Sequence, residues 1–344
     1  MEAGGAALFL AIVFTPALIR YQRRRAIGQQ IREDGPASHI VKAGTPTMGG
    51  LLIILAMLFG YLIGHLGGYR TFTRSGILVL VLVVAIGLVG FADDLIGVVN
   101  ARNLGLNKRT KFALQVLIAL GFALAAWKWA GATTSLSFTR YDFPGWHVGP
   151  AVWVAFATIV VVAASNAVNL TDGLDGLAAG SSTFCFSVLA VIGYWQFRHF
   201  RYYHVGNFPP TALDLALVSV ALVGGCLGFL WWNAAPAKII MGDTGALSLG
   251  AGLAGLCLLM DLDLLLVIIG GLFVIETLSV IIQVISFRVF HRRVFRIAPL
   301  HHHFEQLGWP ETTVLIRFWI LAGLCAALGL GLFYGDFVKI AKVL

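Results

Sequence analysis

Five aspartates in three polar segments are the residues of this chain best suited to chemistry. Asp93 and Asp94 stand side by side in Gly90-Phe-Ala-Asp-Asp94, after an apolar run. As the C-terminal end of a helix, where the macrodipole is already negative, such a pair asks for a cation. Asp172 and Asp175 lie in Asn169-Leu-Thr-Asp-Gly-Leu-Asp-Gly176. Three residues apart, they share a face if the segment is helical, and the glycines leave backbone amides open to a ligand. Asp243, in Met241-Gly-Asp-Thr-Gly245, is flanked by small residues that let a metal or phosphate approach, with Lys238 nearby as a point cation. Taken singly, each has a plain structural reading: hydrated acids at a helix end, an ordinary Asn/Asp/Gly turn, a helix cap. The specific signal is the joint pattern. Oxygen ligands that leave room for water and phosphate suit magnesium, which rarely sits in an all-protein cage. No Walker or Rossmann phosphate loop is present in the sequence.

Two further segments add cations and imidazoles. Lys42-Ala-Gly44-Thr45-Pro46-Thr47-Met48-Gly49-Gly50 precedes an apolar run, with Thr45 predicted as N-cap and Pro46 at the first helical position, a geometry that also receives anions. Arg288, Arg292, Arg293 and Arg296 precede Pro299-Leu-His301-His302-His303-Phe-Glu305. Three consecutive histidines on a helix cannot aim at one point, so one or two are expected to be functional and the rest to pack or cap. Glu276 falls near the middle of an apolar run; an intramembrane acid is a functional candidate, or it bonds a neighbouring helix or marks a bend.

The elements that must carry these residues are membrane helices. Hydrophobic residues make up 59% of 344 positions and charged residues 12%, about half the share in a soluble domain. Ten apolar runs of spanning length are centred near residues 12, 57, 84, 121, 158, 189, 222, 253, 275 and 323, the eighth short and glycine-rich. With no polar linker between them, residues 1–344 read as one all-α polytopic membrane domain. The segments after the odd-numbered spans hold sixteen of the 24 basic residues, including Lys108, Arg109, Lys111 and Arg317. The positive-inside rule makes that face cytoplasmic and puts both termini outside, in the periplasm. The net charge of +8 then reflects orientation and not nucleic-acid binding, since no aromatic-interleaved basic patch occurs. Residues 133–150, between spans 4 and 5, read as a small periplasmic hairpin. The first run, with arginines after it and none before, reads as a retained span and not a signal peptide. Cys185, Cys226, Cys257 and Cys325 stand alone and read as packing residues.

These motifs, with Arg32-Glu-Asp-Gly-Pro36, resemble in order the bacterial phospho-N-acetylmuramoyl-pentapeptide transferases, within the polyprenyl-phosphate N-acetylhexosamine-1-phosphate transferases. The resemblance implies a ten-helix homodimeric enzyme of the bacterial cytoplasmic (inner) membrane with its active site on the cytoplasmic face. It would move phospho-N-acetylmuramoyl-pentapeptide from UDP-N-acetylmuramoyl-pentapeptide to undecaprenyl phosphate, giving lipid I and UMP, with Mg2+ as cofactor. Carried over residue by residue, Asp93, Asp94, Asp243 and His302 are the catalytic candidates, and Asp243 and Asp172 the magnesium ligands. Lys42, Thr47, Lys111, Asn169, Asp172, Gly173, Leu174, Asp175, Asn233, Ile240, His301 and His303 are the substrate-binding candidates. Two positions depart from the pattern: Gly97, where relatives commonly carry lysine, and Ile240, where they carry an aromatic that stacks on uracil. An enzyme using UDP-N-acetylglucosamine would share the acids and the metal. A secondary transporter would place its acids near the midplane, usually with repeat symmetry, whereas the five aspartates here lie at span ends and no repeat appears in the sequence.

Overall fold

The computed structural model describes residues 2–25, 44–67, 71–99 and 105–341, and it is almost entirely helical. Helices α1 (Glu2–Arg24), α2 (Gly50–Leu66), α3 (Arg74–Val99) and α4 (Lys108–Ala125, prolonged by a π-turn over Ala126–Ala130) lead to a two-stranded antiparallel hairpin. Its strands are β1 (Ser135–Leu136) and β2 (Trp146–His147), so the hairpin expected between spans 4 and 5 is present. Then follow α5 (Pro150–Thr171), α6 (Leu177–Arg198), the short α7 (Phe200–Tyr203), α8 (Pro210–Asn233), α9 (Gly242–Leu259), the short α10 (Leu266–Ile269), α11 (Gly271–Phe290), α12 (Leu300–Gln306) and α13 (Glu311–Ala341).

Among the described residues nine helices are long and apolar enough to cross a membrane: α1, α3, α4 with its π-turn, α5, α6, α8, α9, α11 and α13. The tenth expected span is α2, an apolar helix of 17 residues. The short, glycine-rich α9 is the most enclosed span, packed against α3 and α5. Where lipid offers no hydrophobic drive between helices, close van der Waals contact between small residues holds them together. Two glycines show how tight this is at the functional end. A methyl group on Gly90 of α3 would overlap the Asp243 carbonyl, and one on Gly50 of α2 would overlap Gly245 of α9. Those two contacts bring α2, α3 and the N-terminus of α9 together. The cysteines are unpaired, and three of the four are buried.

Three local expectations are corrected. Helix α2 starts at Gly50, so Thr45 and Pro46 are not its cap and first residue. Instead the segment before it pairs with the chain before α9: Ile240 N–H donates to Pro46 O (2.8 Å), Gly49 N–H to Ile240 O (2.9 Å) and Gly50 N–H to Met241 O (2.9 Å). Helix α3 runs on to Val99, so Asp93 and Asp94 lie more than a turn before its end. Asp172 and Asp175 do not share a helical face: α5 stops at Thr171, Asp172 is its C-cap, and Gly176 at φ 81° starts α6.

Candidate active site

The acids of α3 meet the N-terminus of α9. Asp94 Oδ1 accepts from Asp243 N–H (3.0 Å), and its Oδ2 accepts from Thr244 N–H (3.0 Å) and the Thr244 hydroxyl (2.7 Å). A carboxylate there satisfies orphan helix N–H groups and faces the positive end of the macrodipole. Asp93 Oδ1 accepts from Leu106 N–H (2.9 Å), and its Oδ2 accepts from the Lys111 ammonium (3.3 Å). The same ammonium contacts Asp243 Oδ2, so Lys111 bridges two carboxylates that lie 150 residues apart in sequence. Two carboxylates thus share one cation, with a third, Asp94, beside them at the start of α9. The imbalance is half-buried, where charge interactions are stronger than in bulk water, and it favours a second cation. Among the described residues no group of three or more His, Cys, Asp or Glu side chains could hold a metal unaided. Asp93 and Asp243 offer oxygen donors of the kind magnesium takes, one or two carboxylates with the shell completed by water and phosphate.

The turn after α5 forms the second wall. Asp172 N–H bonds back to Val168 and Asn169, and Gly173 N–H donates to Thr171 O (2.8 Å). Asp175 is buried; its Oδ2 accepts from Ala237 N–H (2.9 Å), and its N–H donates to Glu311 Oε1 (3.2 Å). Asn233, also buried, accepts from Gly176 N–H (3.0 Å) and donates to Ile239 O (2.9 Å). Both side chains therefore tie the α5–α6 turn to the α8–α9 loop. Leu174 packs into an apolar cluster with Leu177, Val314 and Phe318, so its side chain is core. Asn169 is half-buried on the last turn of α5.

Two of the remaining candidates line the loops. Thr47 is buried, with its carbonyl accepting from the Gln22 amide (2.6 Å). Ile240 spends its backbone on the pairing with Pro46 and Gly49. Lys238 is exposed over the Trp232 ring at 5.1 Å. Lys42 lies outside the described residues.

The three histidines of α12 diverge. His301 is wholly buried, with Nδ1 3.2 Å from Glu276 Oε2. His302 is half-buried, with Nδ1 2.6 Å from Glu305 Oε2. His303 Nδ1 accepts from Arg296 N–H (3.1 Å) and its ring meets Phe295 edge-on. A methyl on Gly173 would overlap His301 Nε2 and come within 3.1 Å of His302 Nε2, so this helix packs directly on the acidic turn. Sequence reasoning passed over Thr244, Glu305 and Glu311, and it marked Glu276 as a candidate without giving it a role. Of these four residues, only Glu276 carried a signal, its isolation in an apolar run. Beside α12, a groove of about 640 Å³ is lined by Gln283, Phe287, Arg288, Arg293, Arg296 and Gln306.

Comparison with known proteins gives the chain a family. The profile of glycosyl transferase family 4 matches residues 76–261, which carry all five aspartates. Phospho-N-acetylmuramoyl-pentapeptide-transferase signature 1 matches residues 42–54. The phospho-N-acetylmuramoyl-pentapeptide-transferase of Frankia alni is 50% identical over 97% of this chain and 96% of its own length. Those of Saccharopolyspora erythraea and Corynebacterium aurimucosum are each 49% identical, over 98% and 99% of this chain and 96% and 97% of their own. With half of its residues shared from end to end, and the acidic segments within the matched profile, this multi-pass membrane chain belongs to the phospho-N-acetylmuramoyl-pentapeptide transferases, enzymes of peptidoglycan synthesis.

Proposed function

We propose that this chain transfers phospho-N-acetylmuramoyl-pentapeptide from its UDP carrier to undecaprenyl phosphate in a magnesium-dependent reaction that yields lipid I and UMP. The observation that carries the reading is the Asp93–Lys111–Asp243 bridge at the N-terminus of α9. Both substrates are anionic at their reacting ends, so the site must offset like-charge repulsion, and electrostatic stabilisation is the dominant device in phosphoryl transfer. α2 serves as the tenth span, both termini face the periplasm, and the site faces the cytoplasm of a bacterial inner membrane. The basic residues of the segments after the odd-numbered spans, among them Lys108, Arg109, Lys111, Lys238, Arg288, Arg293 and Arg296, support that orientation. A homodimer is the expected assembly.

In the reaction, an oxygen of the lipid phosphate forms a bond to the sugar-side phosphorus of the UDP donor. The bond to UMP breaks, and UMP leaves with the electron pair. Asp243 with Asp172 would hold the magnesium, which when bound supplies positive charge to the pyrophosphate. Lys111 places an ammonium between the acids where phosphate charge arrives, and Lys42 is assigned the same screening role from its motif alone. Asp93 orients the lipid phosphate and keeps it unprotonated. Asp94 spends both oxygens on the start of α9 and so holds Asp243 in place. Asp93 likewise has both oxygens engaged by donors. Trapping of labelled phospho-sugar on the protein in the absence of lipid acceptor separates attack by an aspartate from direct displacement. Asn169, Asp172, Asp175, the backbone at Gly173 and Leu174, Asn233 and Ile240 frame the nucleotide-sugar, with His302 and His303 beside it.

The test offers purified protein undecaprenyl phosphate and magnesium with either UDP-N-acetylmuramoyl-pentapeptide or UDP-N-acetylglucosamine, and follows UMP. Release with the muramoyl donor is expected. Release with the second donor alone would make this an N-acetylglucosamine-1-phosphate transferase.

A further inference from the structure

Glu276, in the second turn of α11, is wholly buried and has no part in the chemistry described above. Its oxygens are nonetheless fully engaged: Oε2 accepts from Leu300 N–H at 2.8 Å, and Oε1 accepts from His301 N–H at 3.2 Å. Oε2 also lies 3.2 Å from Nδ1 of the His301 ring. That ring is wholly buried too, and its far nitrogen, Nε2, presses on Gly173 closely enough that a methyl there would overlap it. A continuous line of contact therefore runs from α11 through the first turn of α12 to the turn between α5 and α6. A buried carboxylate persists only where its lone pairs are satisfied, and here the satisfying groups all belong to one short helix. Gly173 is not among the glycines held at positive φ, so the requirement for glycine there is set by the histidine above it.

We propose that Glu276 is a positioning residue of the donor site: through His301 it fixes α12 against Gly173, and so sets the shape of the Asp172–Asp175 turn that receives the nucleotide-sugar. The proposal rests on the reading of that turn given above. Glutamine at 276 keeps the volume but replaces one of two acceptors with an NH2 donor facing a backbone N–H, so the first turn of α12 loses an anchor. His301→Asn removes Nε2 and with it the contact to Gly173, and leaves a polar atom near Glu276.

Steady-state UMP release tests the kinetic half of the proposal. Glu276→Gln should raise KM for UDP-N-acetylmuramoyl-pentapeptide about tenfold or more, with kcat and the KM for undecaprenyl phosphate changed less than about threefold. The donor KM of Glu276→Gln/His301→Asn should be no worse than that of His301→Asn alone, because residues acting through one another are not additive. An unchanged donor KM in Glu276→Gln, an equal fall in every parameter, or additive effects would overturn the proposal. The steric half is read from thermal unfolding in detergent and does not need turnover. Gly173→Ala should lower Tm in the wild-type background, and this fall should largely vanish in the His301→Asn background. Equal falls in both backgrounds would overturn it. If wild-type protein releases UMP from neither donor, the functional reading fails, while the unfolding cycle still decides whether the His301 ring bears on Gly173.

Discussion

The two ends of α9 hold acids in opposite circumstances. At its N-terminus Asp243 is half-buried and shares the Lys111 ammonium with Asp93, while Asp94 caps the helix. Just past its C-terminus, about 27 Å away by helical rise, Asp261 and Asp263 are buried and accept from neutral donors. Asp261 Oδ1 accepts from the Thr133 hydroxyl at 2.6 Å, and Asp263 Oδ2 accepts from the Ser137 hydroxyl at 2.9 Å and the Ser137 N–H at 3.2 Å. Both hydroxyls belong to the connection that carries the hairpin. One end gathers carboxylates around a cation; the other uses its acids as hydrogen-bonded pegs that fasten a loop. The same residue type therefore signals chemistry only where cations and partial exposure accompany it.

The sharpest way to break the comparison is to neutralise one acid at each end. Asp243→Asn should lower UMP release by about 10²–10³-fold or more while the protein still unfolds cooperatively, since it removes charge placed at the reacting phosphates. Asp261→Asn keeps the Thr133 contact and should leave turnover within about twofold. Comparable losses in the two variants would erase the distinction between the ends. Removal of divalent metal with a chelator should abolish release, and added magnesium should restore it; full turnover in the chelator would sink the metal assignment of Asp243 and Asp172. Asp94→Asn comes next in size. It deprives α9 of one of two carboxylate acceptors and should lower unfolding stability by about 1–2 kcal/mol. Activity should fall with it, through misplacement of Asp243. A variant as stable as wild type would mean that Asp94 does not hold the helix start.

Much of this difference between the ends was hidden from the sequence, and the reasons are local. The spans were legible because a twenty-residue apolar window is a strong physical signal, and the hairpin showed as a polar, turn-rich interval between two of them. The five aspartates stood out by their company of asparagine, glycine and threonine. What could not be read was partnership across the fold. Nothing near Lys111 in sequence announces Asp93 or Asp243, and the ladder between Pro46–Gly50 and Ile240–Met241 overrides a cap pattern that Thr45-Pro46 satisfies on paper. Asp175 and Asn233 look alike as polar loop residues, yet both are buried and fasten one loop to another. Glu276 was visible as an anomaly, but its partners at Leu300 and His301 lie across a connection whose path the sequence does not dictate.

The last expected effect is confined to stability and concerns pH at the far end of α9. Burial pushes the Asp261 carboxyl up to about 7, and burial pushes Asp263 well up as well. An unfolded carboxyl titrates near 4, so between about pH 4 and 7 the folded chain keeps a proton on Asp261 that the unfolded chain has released. The folded state then binds more protons, and stability falls as pH rises through that window and levels off above it. Asn at 261 has no proton to lose, so Asp261→Asn should match wild type near pH 4 and pull ahead as pH rises to 7, with Asp263 contributing a smaller slope in the variant because the Asp261 charge is part of what raises it. Unfolding temperatures of the two proteins from pH 4 to 8 measure the gap. Parallel curves would mean that the Thr133 hydroxyl already stabilises a charged Asp261, and the far end would then resemble the catalytic end more closely than its burial implies.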